Sequence, residues 1–382
     1  MRVLLNGVAS LKPKTGIGHY IESLYEHLPV DDTIFFPGPW ARGFARRFFK
    51  PGSGKAKKRS WLKGPSKLVR RAGLAAMRRM FRTTASRSGC DLYHEPNYVP
   101  WDCDLPVVAT IHDLSVLLYP EWHPADRVTH FETNFRDGLA RCRHLITDCA
   151  SVRREVIQTL GIEPERISTV RLGVRAGFRP LDDDEIQGPL ADYQLTPGYL
   201  LHVGTIEPRK NLLILMQAYV DLPRELRERH PLVLIGGWGW RTEKIRDYYE
   251  GTARHQGVVH IGYAAEEHLP ALYNGARALV FPSHYEGFGF PPLEMMACGG
   301  AVLASSATAV REIMPASADS IHPEDIADWR NAMHRTITND EYWNHSRSGV
   351  IEHARSFTWE RCARETQAVY QNVLREPIAR AA

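Results

Sequence analysis

Residues 284–300 read HYEGFGFPPLEMMACGG. Two glutamates, Glu286 and Glu294, bracket seven residues that include Gly287, Gly289 and the pair Pro291–Pro292. Just upstream, ALVFPS (278–283) has the short apolar character of a buried strand, and PPLEMMACGG opens a helix. Prolines suit the first helical turn, where backbone N–H groups have no partner anyway. Glycines let the backbone approach a ligand closely. Free amides at a helix N-terminus bind anions, phosphate above all. Carboxylates repel phosphate, so the two glutamates should face something neutral. Sugar hydroxyls fit, because a carboxylate accepts their hydrogen bonds strongly. A diphosphate set between two polyols meets every requirement, and a nucleotide sugar is such a molecule.

Outward from this stretch, β-rich runs alternate with amphipathic ones. RVLLNGV (2–8), DLYHEP (91–96), PVVATIHD (106–113) and HLITDC (144–149) read as strands, with helical runs at 16–28, 127–142 and 151–161. ISTVRLGV (167–174) closes this half, and AGFRPLDDDEIQGPLADYQL reads as a connector. The pattern restarts with strands at 199–205, 231–237, 258–263, 278–283 and 301–306. Two blocks of alternating strands and helices predict an α/β protein with two doubly wound parallel sheets. Ligands bind such sheets beyond the carboxyl ends of their strands, so a cleft between the two is the expected site.

The chain has 382 residues, which favours two domains. The expected division is 1–180, 181–358 and a terminal helix over 359–382. The N-terminus reads as a first strand rather than a signal peptide, and no apolar run approaches the roughly 20 residues that span a bilayer. Six scattered cysteines without metal-site spacing suggest reduced thiols and a cytoplasmic setting. Net charge is only +4, but residues 42–87 hold sixteen Lys or Arg and no acid, which leaves the rest at −12. Within this block, KLVRRAGLAAMRRMFR (67–82) can form a helix with Leu68, Val69, Ala72, Ala76, Met80 and Phe81 toward one side. It is either a solvated helix packed on the core or a helix at an anionic membrane surface, with Met80 and Phe81 entering the interface. Aromatics are not interleaved for base stacking, so no nucleic-acid partner is expected.

Further motifs fall at predicted strand ends. VGTIEPRKNL (203–212) places Gly204, Arg209 and Lys210 between a strand and a helix. Adjacent cations there would neutralise a diphosphate and the charge growing on it as a leaving group. Taken alone, RKN is a weak signal, and a solvated surface pair is the commoner reading. KTGIGHY (14–20) holds Gly16 and Gly18 but has Ile21 where a dinucleotide fingerprint needs glycine. TIHD ends a strand at His112, a residue type more often structural when alone. YHEPNYVP (93–100) adds His94 and Asn97. DCD (102–104) precedes a strand and reads as solvated, so no metal and no cofactor is expected.

HYEGFGFPPLEMMACG resembles the E-x7-E motif of glycosyltransferase family 4, whose fold is GT-B. The resemblance runs from about residue 2 to 374 and is weakest over 30–90. It implies that Glu286 touches the donor sugar and that Glu294 holds the ribose hydroxyls. The amides of Gly287, Phe288 and Gly289 would lie against sugar and phosphate. Arg209 and Lys210 would bind the diphosphate, as would the loop at Gly204. Gly16 and Gly18 would face the phosphates across the cleft, although Thr15 stands where many relatives have glycine. His112 would point at the donor sugar, and His94 and Asn97 would lie near the acceptor. The base would fall near Trp238–Trp240 and Tyr263. FTWERCARETQAVYQNVL (357–374) resembles the helix that returns to the first domain.

The implied function is a retaining, metal-independent glycosyltransferase, most similar to bacterial mannosyl- and rhamnosyl-type transferases of surface polysaccharide assembly. GDP-mannose is the favoured donor. A glycan, free or linked to polyprenyl diphosphate at the inner face of the cell membrane, is the expected acceptor. The alternatives are a UDP-sugar donor, or a sugar-nucleotide hydrolase or epimerase on the same fold. A non-catalytic basic binder is a third class, disfavoured by the intact glutamate pair with Arg209 and Lys210.

Overall fold

A computed structural model describes residues 1–11, 16–38, 67–316 and 318–375, with only the backbone of 67–72. Residues 39–66 of the basic block, and Thr15, lie outside the described residues.

The first sheet holds six strands: β1 (Val3–Asn6), β2 (Thr33–Phe36), β3 (Leu92–Glu95), β4 (Val107–Ile111), β5 (Cys142–Thr147) and β6 (Ile167–Thr169). They run parallel in the order β2-β1-β3-β4-β5-β6. Strands such as β4, VVATI, are buried throughout because helices cover both faces of a parallel sheet. The second sheet comprises β7 (Tyr199–Val203), β8 (Leu232–Ile235), β9 (Val258–Gly262), β10 (Ala276–Phe281) and β11 (Ala301–Ala304). It is also parallel, in the order β11-β10-β7-β8-β9. Chain direction across this sheet reverses between β7 and β10. The crevice beyond the carboxyl ends of those two strands is where a doubly wound sheet takes its ligand.

On the first sheet, α1 (Gly16–His27) follows β1, α2 (Lys67–Arg87) precedes β3, and α3 (Ala125–Ala140) precedes β5. A further helix, α4 (Phe290–Ala297), starts after β10, and α5 (Trp359–Arg375) ends the described chain. α5 packs on α1 and β5 of the first sheet. A continuous apolar cluster runs from Val3, Leu5 and Val108 through Tyr370, Trp359 and Leu172 to Leu201 and Phe281 of the second sheet. Gly173 is required there, since a Cβ would sit 2.4 Å from the Trp359 amide nitrogen.

Two expectations change. The connector contains a helix, Asp183–Asp192, despite Pro189. Asp182 and Glu185 form a reciprocal capping box, which stabilises the first turn enough to tolerate the proline further along. α2 forms as expected, but Phe81 is buried against Phe36, Tyr93 and Trp101 and does not reach any outer surface. The inward face is Met77, Met80, Phe81 and Ala85, and Ala76 is exposed. Core packing at i, i+4, i+8 claims the aromatic ring, because burying it removes more apolar area from water than any other side chain of α2. Leu74, two turns before Phe81 on the same side of the helix, is nevertheless 45% exposed, and Arg78, Arg79 and Arg82 are exposed as well.

Candidate active site

The β7/β10 crevice gathers residues from three loops. After β7 the chain makes a turn, Pro208–Lys210, and then Asn211 takes a left-handed conformation with φ 58°. The Asn211 side-chain amide donates to the carbonyls of Pro282 (3.2 Å) and Pro323 (2.6 Å), and the His284 amide donates to the Arg209 carbonyl (2.9 Å). These bonds lock the Arg–Lys turn to the loop after β10 and aim both cations at Glu286. Arg209 Nη1 lies 2.8 Å from Glu286 Oε2, and Lys210 Nζ lies 2.5 Å from Oε1. The other edge of the guanidinium donates to Glu207 Oε1 at 3.0 and 3.2 Å.

Glu286 is only 7% exposed. Burial pushes its pKa up, but Arg209 and Lys210 outweigh that and hold it at about 2. Asp113 follows the same logic. Burial opposes ionisation, and the Arg209 charge with two hydrogen bonds from Ser115 overcomes it, so its pKa is lowered. The site is therefore a set of fixed charges, Arg209 and Lys210 against Glu286, Glu207 and Asp113.

α4 begins at Phe290, with Gly289 as its cap at φ 127° and Pro291 and Pro292 in the first turn. Glu294, one turn in and buried, accepts from Arg175 Nε at 2.6 Å and from the Tyr273 hydroxyl at 2.8 Å. Arg175 also reaches His19 of α1, 3.1 Å away, and Glu266, 3.7 Å away. The two motif glutamates thus sit in separate ion-pair systems, Glu286 with the Arg–Lys turn and Glu294 with Arg175.

The first sheet comes directly against this site. A Cβ on Gly287 would sit 1.8 Å from the His112 carbonyl oxygen, so only glycine permits the approach. Cys149 Sγ donates to the Gly287 carbonyl at 3.1 Å. Tyr285 donates its hydroxyl proton to Glu155 (2.6 Å) and accepts from the Leu114 amide (3.0 Å). A Cβ on Gly16 would sit 3.7 Å from the Phe290 ring, and Gly18 is buried on α1.

Two expected residues take different parts. His94 is fully buried in the core, with Nδ1 2.6 Å from the Tyr370 hydroxyl and Nε2 2.8 Å from that of Thr110. Burial, then the charge of His112, lowers its pKa to about 3. It fastens α5 to β3 and does not line a surface. His112 lies at the end of β4 as expected, but its ring nitrogens face Asp148 (2.7 Å) and the Pro96 carbonyl (2.9 Å). Burial opposes its charge, the Asp148 carboxylate more than restores it, and the pKa is raised. What His112 presents toward Gly287 is its carbonyl. Asn97 is half-buried, its amide donating to Glu95 (2.9 Å). Phe288 is buried, and Gly204, with φ 155°, lies against Lys210. Tyr263 is 76% exposed beside Gly237, and Trp238 packs instead under Arg246, 4.6 Å from its ring. Asp102 pairs with Arg82 and Arg141.

Arg175, Glu207, Asp113 and Asp148 complete the site and were not anticipated. Glu207 lies two residues before Arg209 and Asp113 follows His112 directly, so proximity in the sequence offered a signal. Arg175 and Asp148 are brought in by the fold alone.

Two parallel doubly wound sheets facing a charged cleft, joined by a returning C-terminal helix, define a GT-B glycosyltransferase. The family model described as Glycosyltransferase Family 4 matches residues 16–177, and that described as Glycosyl transferases group 1 matches residues 192–356. O-antigen chain mannosyltransferase B of Escherichia coli is 35% identical over 282 residues, 73% of this chain and 74% of that one. Serotype-specific mannosyltransferase WbdA of Escherichia coli is 32% identical over 271 residues, which are 69% of this chain and 33% of that longer protein. The chain belongs to glycosyltransferase family 4. Its fold is shared with Anabaena Alr3699/HepE, solved in complex with UDP and glucose, at a TM-score of 0.71 and 15% identity, covering 97% of this chain and 100% of that one.

Proposed function

We propose that this glycosyltransferase moves a mannosyl residue from GDP-mannose, with retention of configuration, onto a growing surface glycan. The observation that carries the proposal is the pairing of Arg209 and Lys210 with Glu286 at the β7/β10 crevice. An incoming diphosphate is doubly anionic and takes over the two cations, and Glu286 is released to accept hydrogen bonds from hydroxyls of the transferred sugar. Charge building on the departing diphosphate is then met by groups already in place. On this reading attack is front-face, with the leaving phosphate taking the acceptor proton. Glu294, once it exchanges Arg175 for ribose, holds the nucleoside. The mannosyl choice is supported by the names of the relatives at 35% and 32% identity.

The acceptor on this reading is a lipid-linked glycan at the inner face of the cell membrane, with α2 turned to the anionic surface. Among the described residues no helix is long and apolar enough to cross a membrane. The exposed Leu74 and the basic residues near it would supply a shallow, charged contact.

A panel of GDP- and UDP-sugars, read first by thermal stabilisation and then by transfer with the product anomer assigned by NMR, tests the proposal. The true donor at a hundredfold excess over its Kd stabilises the fold by about 2.7 kcal/mol. Stabilisation by UDP-glucose and not by GDP-mannose would move the donor to the UDP class. Release of free sugar without acceptor at the rate of transfer would make the protein a hydrolase.

A further inference from the structure

A buried side chain beside the charged cluster is left unmatched. His123 follows the turn Pro120–Trp122 and precedes α3. It is 2% exposed, yet neither ring nitrogen has a hydrogen-bond partner among the described residues. His94 and His112, equally deep in the first sheet, each engage both nitrogens. Burying an imidazole with nothing to bond destabilises a fold, so such a group calls for an explanation in function.

The surroundings of His123 belong to the cleft. Arg127, Glu207, Asp113 and Arg209 all lie near enough for their charges to act on it. Burial first, and Arg127 next, lower its pKa, so the ring is neutral and offers one N–H donor and one bare nitrogen. Sugar hydroxyls match that pair, one to each nitrogen, since each can donate or accept. A phosphate, which only accepts, does not.

Aromatic rings enclose the same place. The Trp240 ring stands 6.0 Å from that of His123, inclined by 32°, with Arg127 5.2 Å over the indole. Trp240 Nε1 donates to the Trp122 carbonyl at 2.7 Å, and Arg241 donates to the Glu121 carbonyl. Trp122 stacks on Tyr119 at 4.2 Å and 16°. This clasp joins the segment after β4 to the loop after β8, so residues carried by both sheets meet around His123. Flat aromatic faces beside a neutral donor–acceptor group are what a sugar ring needs: C–H faces against the rings, hydroxyls to the polar atoms.

We propose that His123 hydrogen-bonds a hydroxyl of a sugar ring bound against Trp240 and Trp122, and so is a substrate-binding residue of the transfer reaction. The proposal rests on the glycosyl-transfer reading of the cleft. The hydroxyl belongs either to the transferred hexose or to the acceptor hexose, and the two differ in which KM responds.

The test compares the full chain with His123→Phe and His123→Asn, using GDP-mannose as donor, octyl α-D-mannopyranoside as acceptor, and calorimetry with bare GDP. In His123→Phe, kcat/KM should fall roughly tenfold, the loss of one buried hydrogen bond. GDP affinity should stay within about twofold, and the melting temperature should hold or rise, because an unmatched polar group is gone. His123→Asn, which keeps a donor and an acceptor, should recover part of the rate. A rise confined to the acceptor KM assigns the hydroxyl to the acceptor, and one confined to the donor KM assigns it to the hexose. Normal transfer by His123→Phe overturns the proposal, as does a loss of GDP binding equal to the loss of transfer. If phenylalanine prevents folding, His123→Ala with the same readouts decides between the same outcomes. A wild-type chain that binds neither GDP nor UDP overturns the functional reading and this proposal together. A wild type that binds nucleotide alongside a fully active His123→Phe overturns this proposal alone.

Discussion

Replacing Glu286 by glutamine separates the two duties of this carboxylate. Its pKa is brought from about 4.5 to about 2 against the pull of burial, by Arg209 and then Lys210. At 1.36 kcal/mol per pKa unit, the ionised form gains about 3 kcal/mol from its surroundings. Glu286→Gln should therefore destabilise the ligand-free fold at pH 7 by up to that amount. The sign of its pH dependence is fixed: a depressed carboxylate contributes stability above its unfolded pKa and loses it as pH falls through the folded value. The gap between wild type and variant should thus close between about pH 4.5 and about pH 2. The same change leaves Arg209 and Lys210 without their competitor for a diphosphate, so GDP binding should be held or tightened. Transfer should fall 10²–10³-fold, about the loss seen when one preorganised polar contact to a transition state is removed. Guanidinium unfolding across the pH window, calorimetry with GDP and single-turnover transfer measure the three effects. A stability gap that ignores pH, or GDP binding weakened more than about tenfold, would refute the account of Glu286 as a counter-ion displaced by substrate.

Arg175→Ala strands buried Glu294 with only the Tyr273 hydroxyl. Stability should drop by about 3 kcal/mol, the usual cost of breaking a buried pair, and saturating GDP should restore part of it; an unchanged urea midpoint would show the pair to be idle. Glu95 is buried and its pKa is raised to about 8, so its contribution to stability should fall as pH rises from about 4.5 to 8, and the stability of the wild type relative to Glu95→Gln should decline across that range in thermal melts. Vesicles with anionic lipid should sediment the protein at low salt and release it at 1 M, where the Debye length is about 3 Å, and neutral vesicles should not. Charge-removing substitutions at Arg78 and Arg79 should weaken this without changing GDP affinity; a wild type indifferent to anionic vesicles would leave α2 a solvated face.

Where the sequence misled, one cause recurs: it states a residue's neighbours along the chain but not across the fold. His94 follows a strand pattern and sits in a loop-like motif, which made it look like part of an acceptor surface. Only the docking of α5 on the first sheet, through Tyr370, shows that it is core. Phe81 reads as part of an amphipathic face, but periodicity cannot say whether that face meets protein or membrane. In the structure it meets Phe36, Tyr93 and Trp101. For His112 the strand end was legible and the ring direction was not, because Asp148 arrives from the adjacent strand's end, β5.

The local chemistry was determined by the sequence alone. Alternating apolar runs dictate parallel strands buried on both faces. A glycine-rich turn followed by prolines dictates a helix start with free amides, and adjacent Arg209 and Lys210 set two cations side by side between a strand and a helix. Each of these is a property of a dozen consecutive residues, so no long-range contact is needed to read it. The tertiary structure alone decided which charges meet. The two glutamates of a single motif are assigned to different cationic partners, Glu286 to the turn after β7 and Glu294 to Arg175, which follows β6. The clasp of Trp122 on Trp240 and the unmatched ring of His123 between the sheets are also its product. The physical reason is range: backbone preference and periodicity act within a turn or a strand, whereas ion pairing and desolvation act through space, and their partners here lie 76 to 119 positions apart in the chain.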